Sequence, residues 1–283
     1  MRIQAHAKIN LTLDVGGLRP DGYHDVSMVM QSISLCDALT LTFAGSAAAQ
    51  LTCNDPTLPT GAENLALRAA NAFAAATGCD LSGLTIHLEK RIPAMAGLGG
   101  GSADAAAVLL ALNRLRNTGL TLAELQDIGL SVGSDVPFCV RGGAALAEGR
   151  GERLTMVPAL PPCGIVLVQP DFQVSTGALY RALDSAALAG RPDTAAMLKA
   201  LRQKDLPRIC RALGNVFEQV LPSAEQVIMA DVRQALLAQG ALGARMTGTG
   251  SVVYGIFAAP TQAEDAAKAL HGRYPMVLTA TPH

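Results

Sequence analysis

Hydrophobic and polar positions alternate in the first segment of the chain, IQAHAKINLTLDV (residues 3–15). Its odd-numbered residues are apolar from Ile3 to Val15, and its even-numbered residues are polar from Gln4 to Asp14. A period of two is typical of a β-strand with one buried face, so we predict a half-buried strand here. The turn sequence RPDGYH follows at residues 19–24, and residues 27–43 predict more strand.

Helical periodicity replaces this alternation further along the chain, at residues 63–76, 102–116 and 122–130. Ser102 suits the N-cap of the second of these helices. Thr121 and Glu124 have the spacing of a capping box for the third. The glycine-punctuated sequence GGAALAEGRGERL (residues 142–154) then predicts a pair of strands.

The proline-rich stretch MVPALPPC (residues 156–163) is the best candidate for a linker. After it we predict a strand and several helices, two of them between Asp193 and Gly214. A glycine-rich segment leading into a strand, a capped helix and a last strand are expected to follow. The helix that begins at Ser223 is expected to be capped with Gln226. The pattern predicts an α+β fold with two domains, residues 1–157 and 158–283.

Composition narrows the functional classes. Half of the 283 residues are hydrophobic and the formal net charge is −1, so a large core is expected and a polyanion-binding surface is not favoured. The N-terminal segment lacks the apolar block of a signal peptide, and no apolar run approaches the ~18 residues of a membrane span. The six cysteines are scattered without metal or redox spacing, which predicts reduced thiols in a cytoplasmic protein.

The segment PAMAGLGGGSADAAAVLLAL (residues 93–112) carries the clearest chemistry, because four glycines run into a helical pattern. Glycines permit positive φ and let backbone N–H groups approach a ligand, and a helix N-terminus attracts anions. The Walker, dinucleotide and protein-kinase patterns do not fit. A tight turn without a ligand is the alternative, and Asp104 near the helix start favours it. We nevertheless favour a phosphate site.

This segment is similar to the phosphate-binding motif of the kinase superfamily that contains galactokinase, homoserine kinase, mevalonate kinase and phosphomevalonate kinase. Within that superfamily the chain resembles the 4-diphosphocytidyl-2-C-methyl-D-erythritol kinase family from near residue 5 to near residue 257. The segments that carry the resemblance are AKINLTLDVGGLRPDGYHDVSMVMQSISLCD, GSDVPFCVRGGAALAEGRGE and ARMTGTGSVVYGIF. AKINL and RPDGYH are specific to this family, whereas the glycine segment alone indicates only the superfamily.

The resemblance implies a ribosomal-protein-like N-terminal domain and a ferredoxin-like C-terminal domain, with the active site between them. It implies transfer of the γ-phosphoryl group of ATP to the 2-hydroxyl of a cytidine-diphosphate-linked methylerythritol, in the non-mevalonate route to isoprenoid precursors. Magnesium would accompany ATP to neutralise phosphate charge. The implied partners are this small substrate and ATP, with no nucleic acid and no membrane.

The resemblance also implies roles for individual residues. Lys8 and Asp135 match the catalytic pair, in which the carboxylate accepts the hydroxyl proton and the ammonium stabilises charge. Asn64 matches a contact on the adenine side, and no protein metal ligand is assigned. The expected substrate contacts are Asn10, Tyr23, His24, Thr176 and Tyr180. The expected phosphate-loop residues are Pro93, Ala94, Met95, Ala96, Gly97, Leu98, Gly99, Gly100, Gly101, Ser102 and Ala103.

Each role has a structural alternative. A lysine on the polar face of a strand is usually solvated, an aspartate in GSDVP can be a turn residue or a cap, and Tyr180 can simply pack on a core. The chain also departs from the family at NVFE (residues 215–218), where Val216 replaces an acid. The functional alternatives are another kinase of the superfamily, a non-catalytic metabolite sensor and a nucleic-acid-binding module.

Overall fold

The computed structural model describes residues 1–45 and 47–283, which form an α+β structure. Its strands are β1 (Arg2–Leu18), β2 (His24–Phe43), β3 (Gln50–Cys53), β4 (Leu84–Glu89), β5 (Ala144–Gly149), β6 (Arg153–Met156), β7 (Gly164–Gln169), β8 (Gly214–Asn215), β9 (Gly243–Met246), β10 (Val253–Phe257) and β11 (Met276–Ala280). Its helices are α1 (Leu65–Thr77), α2 (Gly100–Leu115), α3 (Leu122–Val132), α4 (Val136–Arg141), α5 (Thr176–Ser185), α6 (Thr194–Gln203), α7 (Leu206–Arg211), α8 (Ser223–Ala238) and α9 (Pro260–Leu270), with a 3₁₀ helix at Val216–Gln219.

The predicted fold class is confirmed, and most elements lie where the hydrophobic pattern placed them. The two long N-terminal strands, the helices α1 to α3, the strand pair β5 and β6 and the two helices between residues 193 and 214 are all present. The sequence analysis missed β3, β4 and α4. These elements have four to six residues each, too few to establish a period.

The N-cap residues of the helices were predicted less accurately than the positions of the helices in the sequence. The capping box of Thr121 and Glu124 is confirmed. The predicted N-cap at Ser102 is wrong, because α2 begins at Gly100 and its N-cap is Gly99. The predicted start of α8 at Ser223 is confirmed, but the predicted cap is wrong, because the N-cap is Pro222 and no side-chain cap hydrogen bond forms. In both helices a residue with suitable backbone geometry precedes the serine, so the serine lies inside the helix.

The chain divides by compactness into two units. Unit 1 comprises Met1–Ala7, Leu35–Ala94 and Gly99–Gly142, and unit 2 comprises Lys8–Ser34, Met95–Leu98 and Gly143–His283. The strands β1 and β2 are long enough that each contributes residues to both units. The predicted domain boundary at residue 157 stays a prediction.

Unit 1 has a helical core that is rich in alanine. α1 and α2 pack against each other, and their small side chains allow the two backbones to approach closely. β4 pairs antiparallel with the end of β2 and parallel with β3. Nine of the sixteen residues of α2 are buried, so this helix is held firmly by its neighbours. The glycine-rich segment before α2 is thereby attached to a well-packed element.

Unit 2 contains a four-stranded antiparallel sheet in the order β11-β7-β10-β9. Every residue of β10 is buried, as expected for a strand covered on both faces. β8 pairs parallel with β1, where Asn215 lies opposite Leu13. The first part of β2 pairs with β5, and β5 pairs with β6.

The prediction that β1 is half-buried is wrong. Ala7, Ile9 and Leu11 are fully buried as expected, but the polar residues Lys8 and Asn10 are only 4% and 1% exposed. Unit 2 covers this polar face as well, and the polar side chains there form hydrogen bonds with each other and with the backbone. Alternation identified the strand, but it did not show that both faces are buried.

Two further features are the lengths of the apolar helices and the state of the cysteines. Within residues 1–45 and 47–283, no helix is long and apolar enough to cross a membrane. All six cysteines have free thiols, in agreement with the prediction of reduced cysteines.

Candidate functional site

The first glycine-rich segment, Gly97 to Gly101, leads directly into α2. Gly97 and Gly99 have positive φ values of 75° and 69°, which side chains with a Cβ rarely adopt. Gly99 is the N-cap and has no side chain, so no side-chain cap hydrogen bond forms there. The first-turn N–H groups and the positive end of the helix dipole therefore remain suited to an anion.

Close packing also requires glycine at the first two positions of α2. A Cβ on Gly100 would lie 3.0 Å from Ile92 Cγ2 and 3.2 Å from Lys90 Nζ. A Cβ on Gly101 would lie 3.2 Å from Leu65 Cδ1. At Gly100 and Gly101 the constraint is therefore close packing and not a positive φ angle.

The other expected phosphate-loop residues occupy this segment and the first turn of α2. Ala96, Leu98 and Ala103 are buried, so only their backbone groups are placed to contact a ligand. Met95 has a positive φ of 51° and its side chain is exposed. Ser102 is the third residue of the helix. Pro93 and Ala94 are half-buried in the turn before it.

A charged cluster in unit 1, formed by Asp37, Lys90 and Asp104, lies at the start of α2. Lys90 Nζ forms ion pairs with Asp37 and with Asp104, the latter at 2.9 Å. Asp37 Oδ1 also accepts hydrogen bonds from the backbone N–H groups of Arg91 and Ile92. The cluster therefore connects the chain before the glycine-rich segment with the helix after it.

Burial and charge change the pKa values in this cluster. Burial raises the pKa of Asp104 to about 7, and the neighbouring Asp37 carboxylate adds to this effect despite the attraction of Lys90. Burial opposes the charge of Lys90, but the two carboxylates outweigh it and raise the pKa of the ammonium. Among the described residues, Asp104 Oδ1 has no hydrogen-bond partner.

Asn64 and Asp135 both occupy N-cap positions in unit 1. Asn64 caps α1, since its Oδ1 accepts from Ala66 N at 2.9 Å and its Nδ2 donates to Pro59 O at 2.8 Å. Asp135 is the N-cap residue of α4, but its side chain forms no capping hydrogen bond there. Asp135 is half-buried.

Lys8 and Asn10 lie together on the buried polar face of β1 in unit 2. Lys8 Nζ donates to Asn10 Oδ1 at 2.8 Å, and the Lys8 backbone N–H donates to Leu98 O at 3.0 Å. Lys8 is buried, so the alternative that it is a solvated lysine on the polar face of the strand is excluded. Asn10 Oδ1 also accepts from Gly248 N at 3.0 Å and lies 3.2 Å from Thr247 Oγ1.

The second glycine-rich segment, Thr247 to Gly250, contacts the first. Gly248 and Gly250 have positive φ values of 57° and 88°. A Cβ on Gly248 would lie 2.9 Å from Gly97 Cα, and a Cβ on Gly97 would overlap the carbonyl oxygen of Thr247. Thr247 Oγ1 donates to Gly97 O at 3.1 Å or to Asn10 Oδ1. Sequence reasoning noted these glycines but assigned them no role.

Two of the three aromatic residues expected to bind substrate, His24 and Tyr180, lie together in unit 2. The His24 and Tyr180 rings have centroids 4.9 Å apart, and Tyr180 contacts Phe217 edge-on at 5.0 Å. His24 Nε2 lies 2.7 Å from Asp184 Oδ1, which orients the imidazole. The Arg150 guanidinium stacks over the half-exposed Tyr23 ring at 3.6 Å. A cation over an aromatic face stabilises both side chains.

Thr176 is the first residue of α5 and also reaches the second glycine-rich segment. Its hydroxyl lies 2.9 Å from the Thr249 hydroxyl. Within unit 2 the structure thus connects Thr176, the second glycine-rich segment, Asn10 and Lys8. Among residues 1–45 and 47–283, no group of three or more His, Cys, Asp or Glu side chains is arranged to hold a metal ion.

Comparison with known proteins adds independent findings. Residues 64–143 match the GHMP kinases N terminal domain, and residues 197–275 match the GHMP kinases C terminal domain. A 4-diphosphocytidyl-2-C-methyl-D-erythritol kinase from Pelotomaculum thermopropionicum is 48% identical over 254 residues, 90% of this chain and 88% of the relative. Another from Geobacter metallireducens is 43% identical over 270 residues, covering 95% and 94%.

Solved structures agree with these sequence relatives. A crystal structure of 4-(cytidine 5'-diphospho)-2C-methyl-D-erythritol kinase matches with a TM-score of 0.83 and 36% identity, over 100% of this chain and 99% of the other. A homoserine kinase from Cytophaga hutchinsonii has a TM-score of 0.75 at 18% identity, over 100% and 94%. The second likeness establishes a shared fold only.

Proposed function

The chain belongs to the 4-diphosphocytidyl-2-C-methyl-D-erythritol kinases of the GHMP superfamily, and we propose that it phosphorylates the 2-hydroxyl of 4-(cytidine 5'-diphospho)-2-C-methyl-D-erythritol with ATP. It is a kinase, and its relatives act in isoprenoid biosynthesis. One observation carries the choice of substrate: the identity to these kinases extends over at least 88% of both chains. A different kinase of the superfamily would share the fold without this identity.

ATP binding is proposed to use the start of α2. The N–H groups that follow Gly99 would bind phosphate oxygens, and the helix dipole would favour their negative charge. Asn64 would contact the adenine side, although its amide already caps α1. Mg²⁺ is proposed to enter with ATP as part of the co-substrate.

Asp135 and Lys8 are proposed to carry out the chemistry. The Asp135 carboxylate accepts the proton of the substrate hydroxyl while the oxygen of that hydroxyl forms a bond to the γ-phosphorus. The bond from that phosphorus to the β–γ bridging oxygen breaks, and ADP leaves with the electron pair. The Lys8 ammonium stabilises the charge on the migrating phosphoryl group. Its burial and its bond to Asn10 support this role, because a lysine without function is rarely buried.

The substrate is proposed to bind through Tyr23, His24 and Tyr180, with Asn10 and Thr176 as polar contacts. The short distance between the His24 and Tyr180 rings supports an aromatic site for cytosine. Base stacking of this kind contributes ~1–3 kcal/mol per base. The two domains, their boundary near residue 157 and a cytoplasmic location stay predictions.

A phosphoryl-transfer assay with ATP and magnesium tests the reaction. It compares the cytidyl substrate with mevalonate, homoserine and galactose, and the cytidyl compound should be the preferred acceptor. Preference for one of the other three would contradict the proposal. ATP consumption that is independent of all four acceptors would contradict it as well.

Asp135→Asn tests the general base. The asparagine keeps the size of the side chain but accepts no proton at neutral pH, so kcat should fall by ~10²–10⁴-fold. Substrate affinity should be retained, because the lost interaction belongs to the transition state. Asp127→Asn, which changes an exposed carboxylate on α3, is the matched control and should leave kcat unchanged. Normal turnover in Asp135→Asn would remove Asp135 from the mechanism.

A further inference from the structure

The NVFE sequence, in which Val216 stands where the family often has an acid, forms the end of β8 and the start of the 3₁₀ helix. Val216 is fully buried and Phe217 is 1% exposed, so both belong to the apolar core of unit 2. The polar chemistry of this sequence therefore lies in Asn215 and Glu218. The proposed reaction assigns no role to either residue.

Asn215 holds the second glycine-rich segment through its side-chain amide. Its Nδ2 donates to Met246 O at 2.9 Å and to Gly248 O at 2.8 Å, and its Oδ1 accepts from Phe217 N at 3.0 Å. The two carbonyls lie on either side of Thr247. The first carbonyl belongs to the peptide before Thr247 and the second to the peptide after Gly248, so Asn215 restrains both ends of the Thr247–Gly248 dipeptide. Asn215 is 6% exposed, so water does not replace these bonds.

Glu218 holds the same segment one residue earlier. Its Oε1 accepts from Met246 N at 2.8 Å, and its Oε2 forms ion pairs with Arg245 at 3.1 Å and Arg233 at 3.4 Å. Met246 is thus bound at both its N–H and its carbonyl group. These two hydrogen bonds hold the backbone at the residue that directly precedes the second glycine-rich segment.

The other side of Thr247 and Gly248 faces Asn10. The Asn10 backbone N–H donates to Thr247 Oγ1 at 3.1 Å, and Gly248 N donates to Asn10 Oδ1 at 3.0 Å. That same Oδ1 is the acceptor for Lys8 Nζ at 2.8 Å. A series of hydrogen bonds therefore runs from Asn215 to Gly248, from Gly248 to Asn10 and from Asn10 to Lys8. Thr247 joins this series through its hydrogen bond with Asn10.

We infer that Asn215 is a positioning residue for Lys8, acting through the second glycine-rich segment and Asn10. It is not a catalytic residue, because its side-chain amide binds backbone groups of Met246, Gly248 and Phe217. Its effect is to keep the Asn10 oxygen, and with it the ammonium, in one place. This inference rests on the catalytic role proposed for Lys8, and its test separates the two.

Asn215→Leu removes both donated hydrogen bonds at similar side-chain volume. If the inference holds, kcat falls by roughly 10–100-fold, as small displacements of a reacting group do. The KM values for ATP and for the cytidyl substrate should change by less than about threefold, because the defect lies in the transition state. A lower melting temperature with unchanged kcat per folded molecule would mean a structural role only, and would overturn the inference.

Gln219→Leu is the matched control, at the end of the 3₁₀ helix that directly follows Asn215. The Gln219 amide also makes two bonds to backbone groups, accepting from Ala189 N and donating to Gly190 O, each at 2.8 Å. It does not bind the second glycine-rich segment. The control should keep normal kcat. An equal loss of kcat in both variants would show a general effect of damaging this helix and would overturn the inference.

A double-mutant cycle with Lys8→Met separates the inference from the proposed function. If Asn215 acts through Lys8, Asn215→Leu should lower kcat much less in the Lys8→Met background than in the native chain. Fully multiplicative losses would overturn the inference while leaving Lys8 catalytic. Normal kcat in Lys8→Met alone would instead overturn the proposed role of Lys8.

Thr247 provides a second test if Asn215→Leu does not fold. Thr247→Ser keeps the hydroxyl, whereas Thr247→Val keeps the shape and loses it. The valine variant should show the same 10–100-fold loss of kcat, and the serine variant should restore most of the activity. Equal kcat values for both variants would overturn the inference.

Discussion

Two groups of buried polar side chains lie beside the glycine-rich segments, one in each unit, and they are built from different chemistry. The charged cluster of unit 1 holds two carboxylates with one ammonium. The neutral network of unit 2 consists of Asn10, Asn215, Thr247 and Tyr254, whose side chains carry no charge. Both connect segments that are distant in sequence, but only the charged cluster binds or releases protons near neutral pH.

Neutral hydrogen bonds and buried ion pairs hold the chain beside the glycine-rich segments at different free-energy costs. Burying an amide or hydroxyl group costs less free energy than burying a charge, and its hydrogen bonds to protein groups replace those it made to water. Carboxylates lose much more, so the charged cluster leaves Asp104 with a raised pKa and with one oxygen that has no partner among the described residues. The hydrogen bonds of the neutral network are therefore expected to depend less on pH than those of the charged cluster.

Lys90→Met should have the largest effect on stability. It leaves two buried carboxylates facing each other without an ammonium, so the free energy of unfolding should fall by about 3–5 kcal/mol. Urea denaturation at pH 8 measures this change. Arg2→Met is the control, since the Arg2–Glu89 pair is largely exposed and its loss should cost at most about 1 kcal/mol. Equal effects would mean that the charged cluster does not stabilise unit 1.

Asp104→Asn should change how stability depends on pH. Because its pKa is about 7 in the folded chain and 3.8 is the ordinary value, the folded state holds a proton that the unfolded state has released between these values. The contribution of Asp104 to the free energy of unfolding therefore falls as pH rises from about 4 to about 7, by at most about 4 kcal/mol. Asp104→Asn should remove this fall.

Asp55→Asn is the control of opposite sign. Hydrogen bonds from the Thr57 hydroxyl and backbone N–H lower the pKa of the exposed Asp55, so its stabilising contribution is lost as pH falls. Its replacement should make stability at low pH less sensitive to acid. Denaturation curves between about pH 2 and pH 8 measure both variants, with the Asp55 effect expected below about pH 4 and the Asp104 effect between about pH 4 and pH 7. An Asp104→Asn curve parallel to that of the native chain would show that Asp104 does not titrate in this range.

Tyr254→Phe should have the smallest of these effects. The Tyr254 hydroxyl donates to the backbone carbonyl of Asn10 at 2.8 Å in a fully buried site. Its removal should lower the free energy of unfolding by about 0.5–1.5 kcal/mol, equally from pH 5 to pH 9. Tyr23→Phe, at a half-exposed ring, should change it by less than about 0.5 kcal/mol. A strong pH dependence in Tyr254→Phe would contradict the neutrality of the network.

Local patterns predicted the elements well where they were long. The alternation of β1, the periodicity of α1 to α3 and the glycines before α2 all correspond to observed structure. β3 and α4 were missed because four to six residues do not establish a period. The N-cap of α2 was misplaced because a serine favours the position, whereas the backbone reaches the required geometry earlier, at Gly99.

The sequence by itself determined the fold class, the family and the segments that carry the proposed chemistry, because these depend on periodicity, turn residues and recognisable motifs. Only the tertiary structure decided that the polar face of β1 is buried and that Asn10 meets Thr247, 237 residues further along the chain. The same holds for the pairing of Asp37 with Lys90 across 53 residues. Periodicity reports the local backbone conformation, whereas burial of a polar side chain depends on which distant groups pack against it and can satisfy its hydrogen bonds.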